Sequence, residues 1–326
     1  MDSLTPVPTA RSGAPDPLVG DSPVIDPLLR ERFAEPILRL LEPLVAAGSR
    51  PVLGLNGPVG AGKTTLCRWL QQQAQRRGLR LAVASIDDAY LPWPLRQRQL
   101  AGNPFGVSRV PPGSHDTELL IGCLEQWRAG GPLVLPRFDK TRRGGQGDRI
   151  GLQRLEVDAL VLEGWLVGCR PLGGERLAAL LAATERGSAA AGPGILNRLS
   201  AEERHWLPRW DQALQAYLPI WEQLAGLALL RPEGWSLPRR WRFQAEARQR
   251  RAGGCWLDPA ELRQLVRSSL CSLPPELYQQ PLEGEAALVA WLDGRRRCVR
   301  VQSGVQSGVQ SGVPGPVQGR VQHTEG

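Results

Sequence analysis

Lysine, long apolar runs and paired cysteines are all scarce in this 326-residue sequence. No apolar run approaches the roughly 20 residues that a membrane-spanning helix needs, so we expect no membrane partner. The six cysteines lie far apart without a CxxC or Cys/His zinc spacing, which favours buried thiols in a reducing compartment. The N-terminus has neither the pattern of a secretory signal nor the acid-poor composition of a transit peptide, and we expect a cytoplasmic location.

The net charge of +8 rests almost entirely on arginine, because only two of the 40 basic residues are lysines. A basic chain can bind nucleic acid, but this excess runs along the whole sequence, with part of it in GRRRCVR near the C-terminus. It also lacks the alternation of basic and aromatic residues found in single-strand binders. We therefore expect no nucleic-acid partner. Because arginine is the default cation, Lys63 and Lys140 are candidates for specific tasks.

The segment GPVGAGKTT, residues 57–65, is the most specific motif in the chain. It fits G-x-x-x-x-G-K-[ST], in which backbone N–H groups at a helix N-terminus cradle nucleotide phosphates. Lys63 is expected to reach the β- and γ-phosphates, and the Thr64 hydroxyl to hold Mg²⁺. We therefore predict ATP and Mg²⁺ as cofactors. The predicted nucleotide-binding residues are Gly57, Pro58, Val59, Gly60, Ala61, Gly62, Lys63, Thr64 and Thr65.

Strand-like and helix-like patterns alternate around this motif. This alternation predicts an α/β fold, specifically a P-loop NTPase-type three-layer sandwich with a parallel central sheet, helices on both faces and a helical lid. The predicted strands cover 51–57, 80–86, 133–135, 157–165, 224–230 and 286–292, and helical patterns cover 27–48, 64–77, 116–128, 200–223, 237–254 and 258–270. The intervening 88–114 and 136–154 are predicted to be loops.

The folded domain is expected over 26–298, with the lid at about 236–254. Residues 1–25 are rich in Pro, Ser and Asp, and the segment 299–326 carries a VQSG repeat that is too short and polar to bury a face. We expect both of these terminal segments to be disordered.

Three acidic residues stand where predicted strands end. SIDDAY places Asp87 and Asp88 after one strand, and LVLEGW places Glu163 at the end of another. Since the carboxyl ends of parallel strands share one rim with the phosphate loop, Asp87 is predicted to accept the proton of an attacking hydroxyl and Asp88 to assist in acceptor binding. Glu163 is predicted to organise Mg²⁺ together with Thr64. The alternatives are an Asp pair that caps the next turn and a solvated strand end.

Two further segments carry candidate acceptor-binding residues. PGSHDTELL contains His115 and Asp116, and PRFDKTRRGGQGDR contains Arg137, Lys140 and Arg149. A hydroxyl or an anion such as a carboxylate is a suitable ligand for these groups. The alternatives are that Asp116 or its neighbour caps the following helix and that the basic loop is simply solvated.

The basic helix RRWRFQAEARQRR supplies Arg242 and Arg248. In a phosphotransferase, such a helix can fold over the nucleotide so that its arginines neutralise charge on the transferring phosphate. A basic face turned to solvent is the alternative. We predict a catalytic role for these two arginines beside Asp87 and Lys63.

Six segments in this order resemble D-glycerate 3-kinase of plants and cyanobacteria, in the P-loop kinase branch with uridine kinase, phosphoribulokinase and bacterial pantothenate kinase. They are GPVGAGKTT, SIDDAYL, GNPFGVSRVPPGSHD, PRFDKTRRGGQGDR, LEGWLVG and WRFQAEA, and they fall between about residues 50 and 295. The resemblance implies a glycerate 3-kinase that transfers the γ-phosphate of ATP to the 3-hydroxyl of D-glycerate, giving 3-phosphoglycerate in photorespiratory glycerate salvage. Its general base would be Asp87. Ala89 departs from the Phe that is common in the family.

Two alternatives to this interpretation stay open. One is a uridine- or pantothenate-type kinase, of which only the pantothenate type would use a cationic loop for a carboxylate. The other is a P-loop ATP-binding regulator without small-molecule kinase activity, which would leave SIDD and the His-Asp pair without a task. We expect the protein to be a monomer whose partner is a small-molecule substrate, D-glycerate.

Overall fold

The computed structural model describes residues 23–185, 194–251 and 257–304. Strands within these ranges are Val52–Asn56 (β1), Leu81–Ser85 (β2), Leu133–Asp139 (β3), Asp148–Leu155 (β4), Ala159–Gly164 (β5), Leu224–Pro232 (β6), Leu288–Leu292 (β7) and Cys298–Ser303 (β8). The α-helices are Pro27–Leu29 (α1), Glu35–Ala46 (α2), Lys63–Arg76 (α3), Trp93–Gln99 (α4), Thr117–Arg128 (α5), Gly174–Glu185 (α6), Ala201–Ala213 (α7), Leu218–Trp221 (α8), Leu237–Arg251 (α9), Pro259–Ser272 (α10) and Pro275–Tyr278 (α11).

A six-stranded sheet in the order β2-β5-β1-β6-β7-β8 forms the centre of the molecule. The first five strands in this order are parallel, and β8 pairs with β7 in the antiparallel direction. The phosphate-loop strand β1 therefore lies between β5 and β6. The predicted α/β sandwich with a central parallel sheet is confirmed, except that its last strand is antiparallel.

Alternating side chains of the central strands belong to two hydrophobic clusters, one on each face of the sheet. In β5, Leu160 and Leu162 join one cluster with α5, α7 and α10, whereas Ala159 and Val161 join the other with α2 and α3. Strands buried on both faces are continuous apolar runs in the sequence, which is why β1, β5 and β6 were predictable. The two clusters give the three layers of helix, sheet and helix.

Strand β8 begins at Cys298 and extends into the segment 299–326 that was expected to be disordered. Val301 opposes Ala290 of β7 and packs against the cluster that contains α2. Pairing with β8 satisfies backbone groups of β7 that would otherwise form a free sheet edge. The folded chain thus continues to at least Gly304. The rest of the predicted tail lies outside the described residues, as do residues 1–22 of the predicted N-terminal segment and residues 252–254 of the predicted lid.

Two predicted loops contain regular structure. Residues 88–114 include α4, and residues 136–154 form most of an antiparallel hairpin in which Leu133 pairs with Leu155 and Asp139 with Asp148. The hairpin escaped prediction because β4 is largely exposed and lacks the apolar alternation of a half-buried strand. Helix α6 lies in a part of the sequence to which no element was assigned.

Two predictions about the chain as a whole can be compared with the described ranges. Cys67, Cys123, Cys169, Cys271 and Cys298 are buried free thiols, as predicted, while Cys255 lies outside these ranges. No helix in the described part of the chain is long and apolar enough to cross a membrane.

Candidate active site

A cavity of about 880 Å³ opens at the carboxyl ends of β1, β2 and β5. It collects most of the predicted functional residues: those that line it are Val59, Gly60, Gly62, Lys63, Thr64, Thr65, Asp87, Lys140, Glu163, Arg242 and Arg248. The predicted residues outside this lining are Gly57, Pro58, Ala61, Asp88, His115, Asp116, Arg137 and Arg149. The sheet topology therefore brings together predicted residues that lie up to 189 positions apart in the sequence, from Val59 to Arg248.

The phosphate loop connects β1 to α3 through glycines in left-handed conformations. Gly60 has φ +78° and Gly62, the N-cap of α3, has φ +93°. Lys63 Nζ donates a hydrogen bond of 2.9 Å to the Gly57 carbonyl and lies 3.6 Å from Glu163 Oε2. The helix N-terminus and the ammonium group together form a site for phosphate oxygens.

The Asp87 carboxylate lies in the turn that follows β2. Lys140 Nζ donates to Asp87 Oδ2 over 2.8 Å, and His115 Nε2 lies 3.8 Å from Asp87 Oδ1. Burial raises the pKa of Asp87, but the Lys140 ammonium and the His115 ring outweigh it, so the pKa of this carboxyl is well below its ordinary value. Asp87 is therefore ionised at neutral pH.

Asp88 has a different role from its neighbour. Its Oδ2 accepts a hydrogen bond of 3.3 Å from the Ser85 N–H, and Ser85 Oγ accepts from the Asp87 N–H, which together form a capping box. Burial is the main cause that raises the pKa of Asp88, and the charges of Asp87 and Glu163 add to it. The turn-cap alternative thus describes Asp88, which is outside the cavity lining.

His115, Asp116 and Arg149 are outside the cavity lining and contact other groups of the protein. The His115 ring stacks on Tyr90 with centroids 4.4 Å apart, and its Nδ1 lies 2.8 Å from the Tyr217 hydroxyl. Burial lowers the pKa of His115, so the ring is neutral at neutral pH. Asp116 caps α5 at the Leu119 N–H and also forms a 3.0 Å ion pair with Arg149. These three side chains support the wall that carries Asp87.

The cations of the β3–β4 hairpin have different surroundings. Lys140 follows β3 directly and reaches Asp87, whereas Arg137 is exposed on β3 outside the cavity lining. Arg143 forms a 2.7 Å ion pair with Asp148 inside the hairpin. The solvated-loop alternative therefore describes Arg137, and Lys140 is the predicted cation of this loop that lines the cavity.

Helix α9 packs directly on the phosphate loop. A Cβ on Gly60 would lie 2.8 Å from both the Trp241 Cβ and the Arg242 backbone nitrogen. Arg242 pairs with Glu246 at 2.9 Å, and Glu246 Oε1 accepts from the Leu257 N–H. The predicted lid helix is thus present beside the nucleotide site, with Arg242 and Arg248 in the cavity lining.

Arg296 is a cavity-lining residue that the sequence analysis missed. Its guanidinium donates to the Gly60 carbonyl at 2.6 Å, to the Trp241 carbonyl at 2.7 Å and to Gln244 Oε1 at 3.2 Å. It therefore ties the phosphate loop to α9. In the run GRRRCVR, three adjacent arginines look alike, and only the left-handed turn at Arg296 (φ +64°) directs this one inward.

Tyr90, Arg109 and Trp165 also line the cavity without having been singled out from the sequence. They belong to SIDDAYL, GNPFGVSRVPPGSHD and LEGWLVG, the same segments that carry the resemblance stated above. The sequence therefore identified the segments that contain these residues. It did not show which residue of each segment would line the cavity.

Thr64 and Glu163 are the residues that could hold a divalent cation. Both line the cavity next to Lys63, and hydroxyl and carboxylate oxygens are the ligands that Mg²⁺ prefers. No cluster of three or more His, Cys, Asp or Glu side chains with metal-binding geometry occurs among the described residues. This set fits an ion that is held mainly by nucleotide phosphates and water, as is usual for Mg²⁺ in kinases.

A parallel sheet with a phosphate loop at its centre, and a carboxylate that lines the same cavity as this loop, form an arrangement that is typical of P-loop kinases. No family model matches the chain. It is 28% identical over 229 residues to an uncharacterised kinase of Schizosaccharomyces pombe, which covers 66% of this chain and 77% of the relative. It is 27% identical over 250 residues to the chloroplastic D-glycerate 3-kinase of Arabidopsis thaliana, which covers 72% of this chain and half of that protein's length.

Comparison with solved structures also finds a D-glycerate 3-kinase. D-glycerate 3-kinase from Cryptococcus neoformans superposes with a TM-score of 0.70 at 26% identity, covering 83% of this chain and 99% of that one. The structure of the YGR205w protein has a TM-score of 0.63 at 19% identity and supports the fold alone. The similarity to D-glycerate 3-kinases that the motifs predicted is therefore confirmed.

Proposed function

We propose that this protein transfers the γ-phosphate of ATP to the 3-hydroxyl of D-glycerate and so forms 3-phosphoglycerate. One observation carries the kinase chemistry: the ionised carboxylate of Asp87 and the phosphate loop line the same cavity. The similarity to two D-glycerate 3-kinases supports the choice of acceptor. A place in photorespiratory glycerate salvage and a cytoplasmic location are parts of the proposal that rest on the sequence resemblance and composition.

Asp87 acts in this proposal as the general base. It accepts the proton of the acceptor hydroxyl while the hydroxyl oxygen attacks the γ-phosphorus, and the bond from this phosphorus to the β,γ-bridging oxygen breaks to release ADP. Lys140 and His115 lower the pKa of this carboxyl and keep it ionised, and the hydrogen bond from Lys140 fixes the position of Oδ2. A carboxylate held by a neutral ring and one ammonium keeps lone pairs for the incoming hydroxyl.

The phosphate loop and α9 stabilise the negative charge of the phosphates. Backbone N–H groups of the loop, the N-terminus of α3 and Lys63 hold the β- and γ-phosphates. When bound with ATP, Mg²⁺ supplies charge neutralisation at these phosphates, held to the protein by Thr64 and Glu163. Arg242 and Arg248 on α9 stabilise the negative charge of the transferring group.

Water is the competing acceptor in any open kinase site. Helix α9 already contacts the phosphate loop at Gly60, and Arg296 ties the two together. A small acceptor that fills the space beside Asp87 would exclude water from the in-line position. The proposal therefore predicts that ATP turnover depends on the acceptor.

A substrate panel tests the proposed function. ADP release is measured with D-glycerate, L-glycerate, uridine, pantothenate, double-stranded DNA and water alone. We expect D-glycerate to give the highest kcat/KM and water to give little turnover. A preference for uridine or pantothenate would replace the acceptor, and turnover that is independent of every acceptor would favour an ATP-binding regulator.

A further inference from the structure

Arg109 is a buried arginine with no partner among the described residues. It is 8% exposed, it lines the cavity, and its buried Nη1 has no hydrogen-bond acceptor within these ranges. A guanidinium removed from water without an anion or acceptor is costly. A group of this kind in a cavity wall is available to an anionic ligand that enters the cavity.

Two other buried arginines show what a structural role looks like in this chain. The Arg96 guanidinium donates to the carbonyls of Leu91, Gln146 and Gly147. Arg231 donates to Asn56 Oδ1 and the Gln279 carbonyl, and it lies 3.4 Å from a Glu283 oxygen. Arg109 has no comparable set of acceptors in the described part of the chain, although it too is buried, at 8% exposure against 0% for Arg96 and 1% for Arg231.

The loop that carries Arg109 is anchored on both sides. On the preceding side, Asn103 Oδ1 accepts from the backbone N–H groups of Phe105 and Val107. On the following side, Ser114 Oγ donates to the Pro111 carbonyl, and the Gly113 N–H donates to the Tyr217 hydroxyl. These bonds restrain the backbone on both sides of Arg109 before any ligand arrives, which lowers the entropic cost of binding.

The residue after Arg109 has a strained backbone. Val110 has φ +93°, a conformation that is a genuine outlier for a β-branched side chain. Such strain persists only where the surrounding structure enforces it, and it is concentrated at ligand sites. Val110 itself lines the cavity beside Arg109.

Arg109 shares the cavity lining with Asp87, the proposed base. It interacts electrostatically with Tyr90, whose phenol in turn interacts with Asp87. Arg109 also lines a side pocket of about 120 Å³, which it shares with Gly145 and Leu257 and which no phosphate-loop residue lines. The acid in this pocket, Glu261, accepts from the Asp258 N–H as a helix cap.

The cations that the sequence predicted to bind the acceptor carboxylate either pair with acids of the protein or lie outside the cavity lining. Lys140 pairs with Asp87, Arg149 pairs with Asp116, and Arg137 lies outside the cavity lining. We infer that Arg109 binds the carboxylate of the acceptor and thereby makes the site selective for small hydroxy acids over neutral alcohols. This inference rests on the proposed function and adds to it the residue that selects the acid.

The test compares D-glycerate with D-glyceramide, which has the same hydroxyls and no charge. In the 326-residue wild type we expect kcat/KM for the acid to exceed that for the amide by about 10²-fold or more, since one buried ion pair carries the difference. In Arg109→Gln we expect this ratio to fall towards one, through a higher KM for glycerate, while the KM for ATP stays within about twofold. Arg109→Lys keeps the charge without the bidentate fork, and an intermediate ratio is expected.

The control is Arg154→Gln, which removes an exposed arginine of β4 that pairs with Glu156 and should leave the ratio unchanged. Binding of an ATP analogue verifies that each variant is folded; if Arg109→Gln fails this check, an unchanged ratio in Arg109→Lys overturns the inference. A variant that keeps the wild-type ratio, or raises the KM for ATP instead, overturns it while the proposed function stands. A wild type that does not phosphorylate D-glycerate overturns the proposed function.

Discussion

At the scale of single residues, the charge state of Asp87 is set by its two neighbours. Lys140 holds one carboxylate oxygen at 2.8 Å, and the neutral His115 ring faces the other at 3.8 Å. Without them, burial alone would raise the pKa of this carboxyl and weaken the case for a base at neutral pH. The chemistry proposed for one acid therefore depends on a lysine 53 positions later.

The first prediction concerns Asp87 itself. Asp87→Asn should lower kcat by about 10²–10⁴-fold, because an amide cannot accept the hydroxyl proton. ATP affinity should stay within about twofold of wild type. Steady-state kinetics with D-glycerate and titration of an ATP analogue provide the two numbers. Asp158→Asn is the matched control, since Asp158 pairs with Arg80 at the opposite end of β5; turnover in Asp87→Asn equal to that of the control would refute the assignment.

The second prediction is a change in pH dependence. Lys140→Met removes the cation that lowers the pKa of Asp87 and leaves the burial that raises it. The carboxylate must be ionised to act as a base, so the acidic limb of the kcat/KM profile should move to higher pH, with activity lost earlier as pH falls. The profile is recorded from about pH 4 to 9 with D-glycerate.

Arg142→Met serves as the comparison for this pH experiment. Arg142 is a cation of the same hairpin, but it lies 3.8 Å from Asp139 rather than beside Asp87. Its acidic limb should coincide with that of the wild type. If Lys140→Met also keeps the wild-type limb, Lys140 does not control the ionisation of the base.

At the scale of elements, the nucleotide site depends on the contact between the phosphate loop and α9. Gly60 permits this contact, because it has no side chain at the point where Trp241 and Arg242 approach. Arg296 adds hydrogen bonds to both elements from the turn between β7 and β8. The loop, the lid and the last hairpin of the sheet therefore form one connected unit around the nucleotide site.

The third prediction tests this contact. Gly60→Ala should lower ATP affinity by about tenfold or more, because a Cβ would clash with α9 and would also strain a residue at φ +78°. Isothermal titration with an ATP analogue measures the loss. Gly48→Ala is the control, since Gly48 has the same φ and open space around its Cβ position. It should cost about 1 kcal/mol of stability and no affinity; equal affinities in the two variants would contradict the prediction.

At the scale of the whole molecule, a buried polar network joins the sheet to the C-terminal helices. Arg231 of β6 donates to Asn56 at the end of β1 and to the Gln279 carbonyl, and Asn56 Nδ2 donates to the Trp165 and Val167 carbonyls after β5. Burial lowers the pKa of Arg231 to about 10. This network holds the ends of three strands directly below the candidate active site.

The fourth prediction follows from this network. Arg231→Met should lower the free energy of unfolding by about 3 kcal/mol, because it leaves the Asn56 oxygen and the Glu283 carboxylate without their buried partner. Urea denaturation measures the change. Arg154→Met, at an exposed position of β4, should stay within about 0.5 kcal/mol of wild type. A loss from Arg231→Met as small as that of this control would show that the network contributes little to stability.

Prediction from the sequence succeeded where a short pattern carries its own geometry. The phosphate loop is such a pattern, and Asp87 and Glu163 follow from the rule that parallel strands end at one rim. Lys140 was recognised because lysine is rare in this chain. Asp116 and Arg149 were predicted to bind the acceptor, and in the structure they pair with each other outside the cavity lining, since a pattern of charges does not reveal which charges will pair.

The sequence by itself determined the fold class, the nucleotide motif and the acid that faces it, because backbone periodicity and glycine conformations are local properties. Only the tertiary structure decided which of the 38 arginines line the cavity and which of these lack a partner in the described ranges. Arg109 and Arg296 look like every other arginine along the chain. The burial of Arg109 and the hydrogen bonds of Arg296 depend on segments that come into contact only after folding, so no local sequence pattern predicts them.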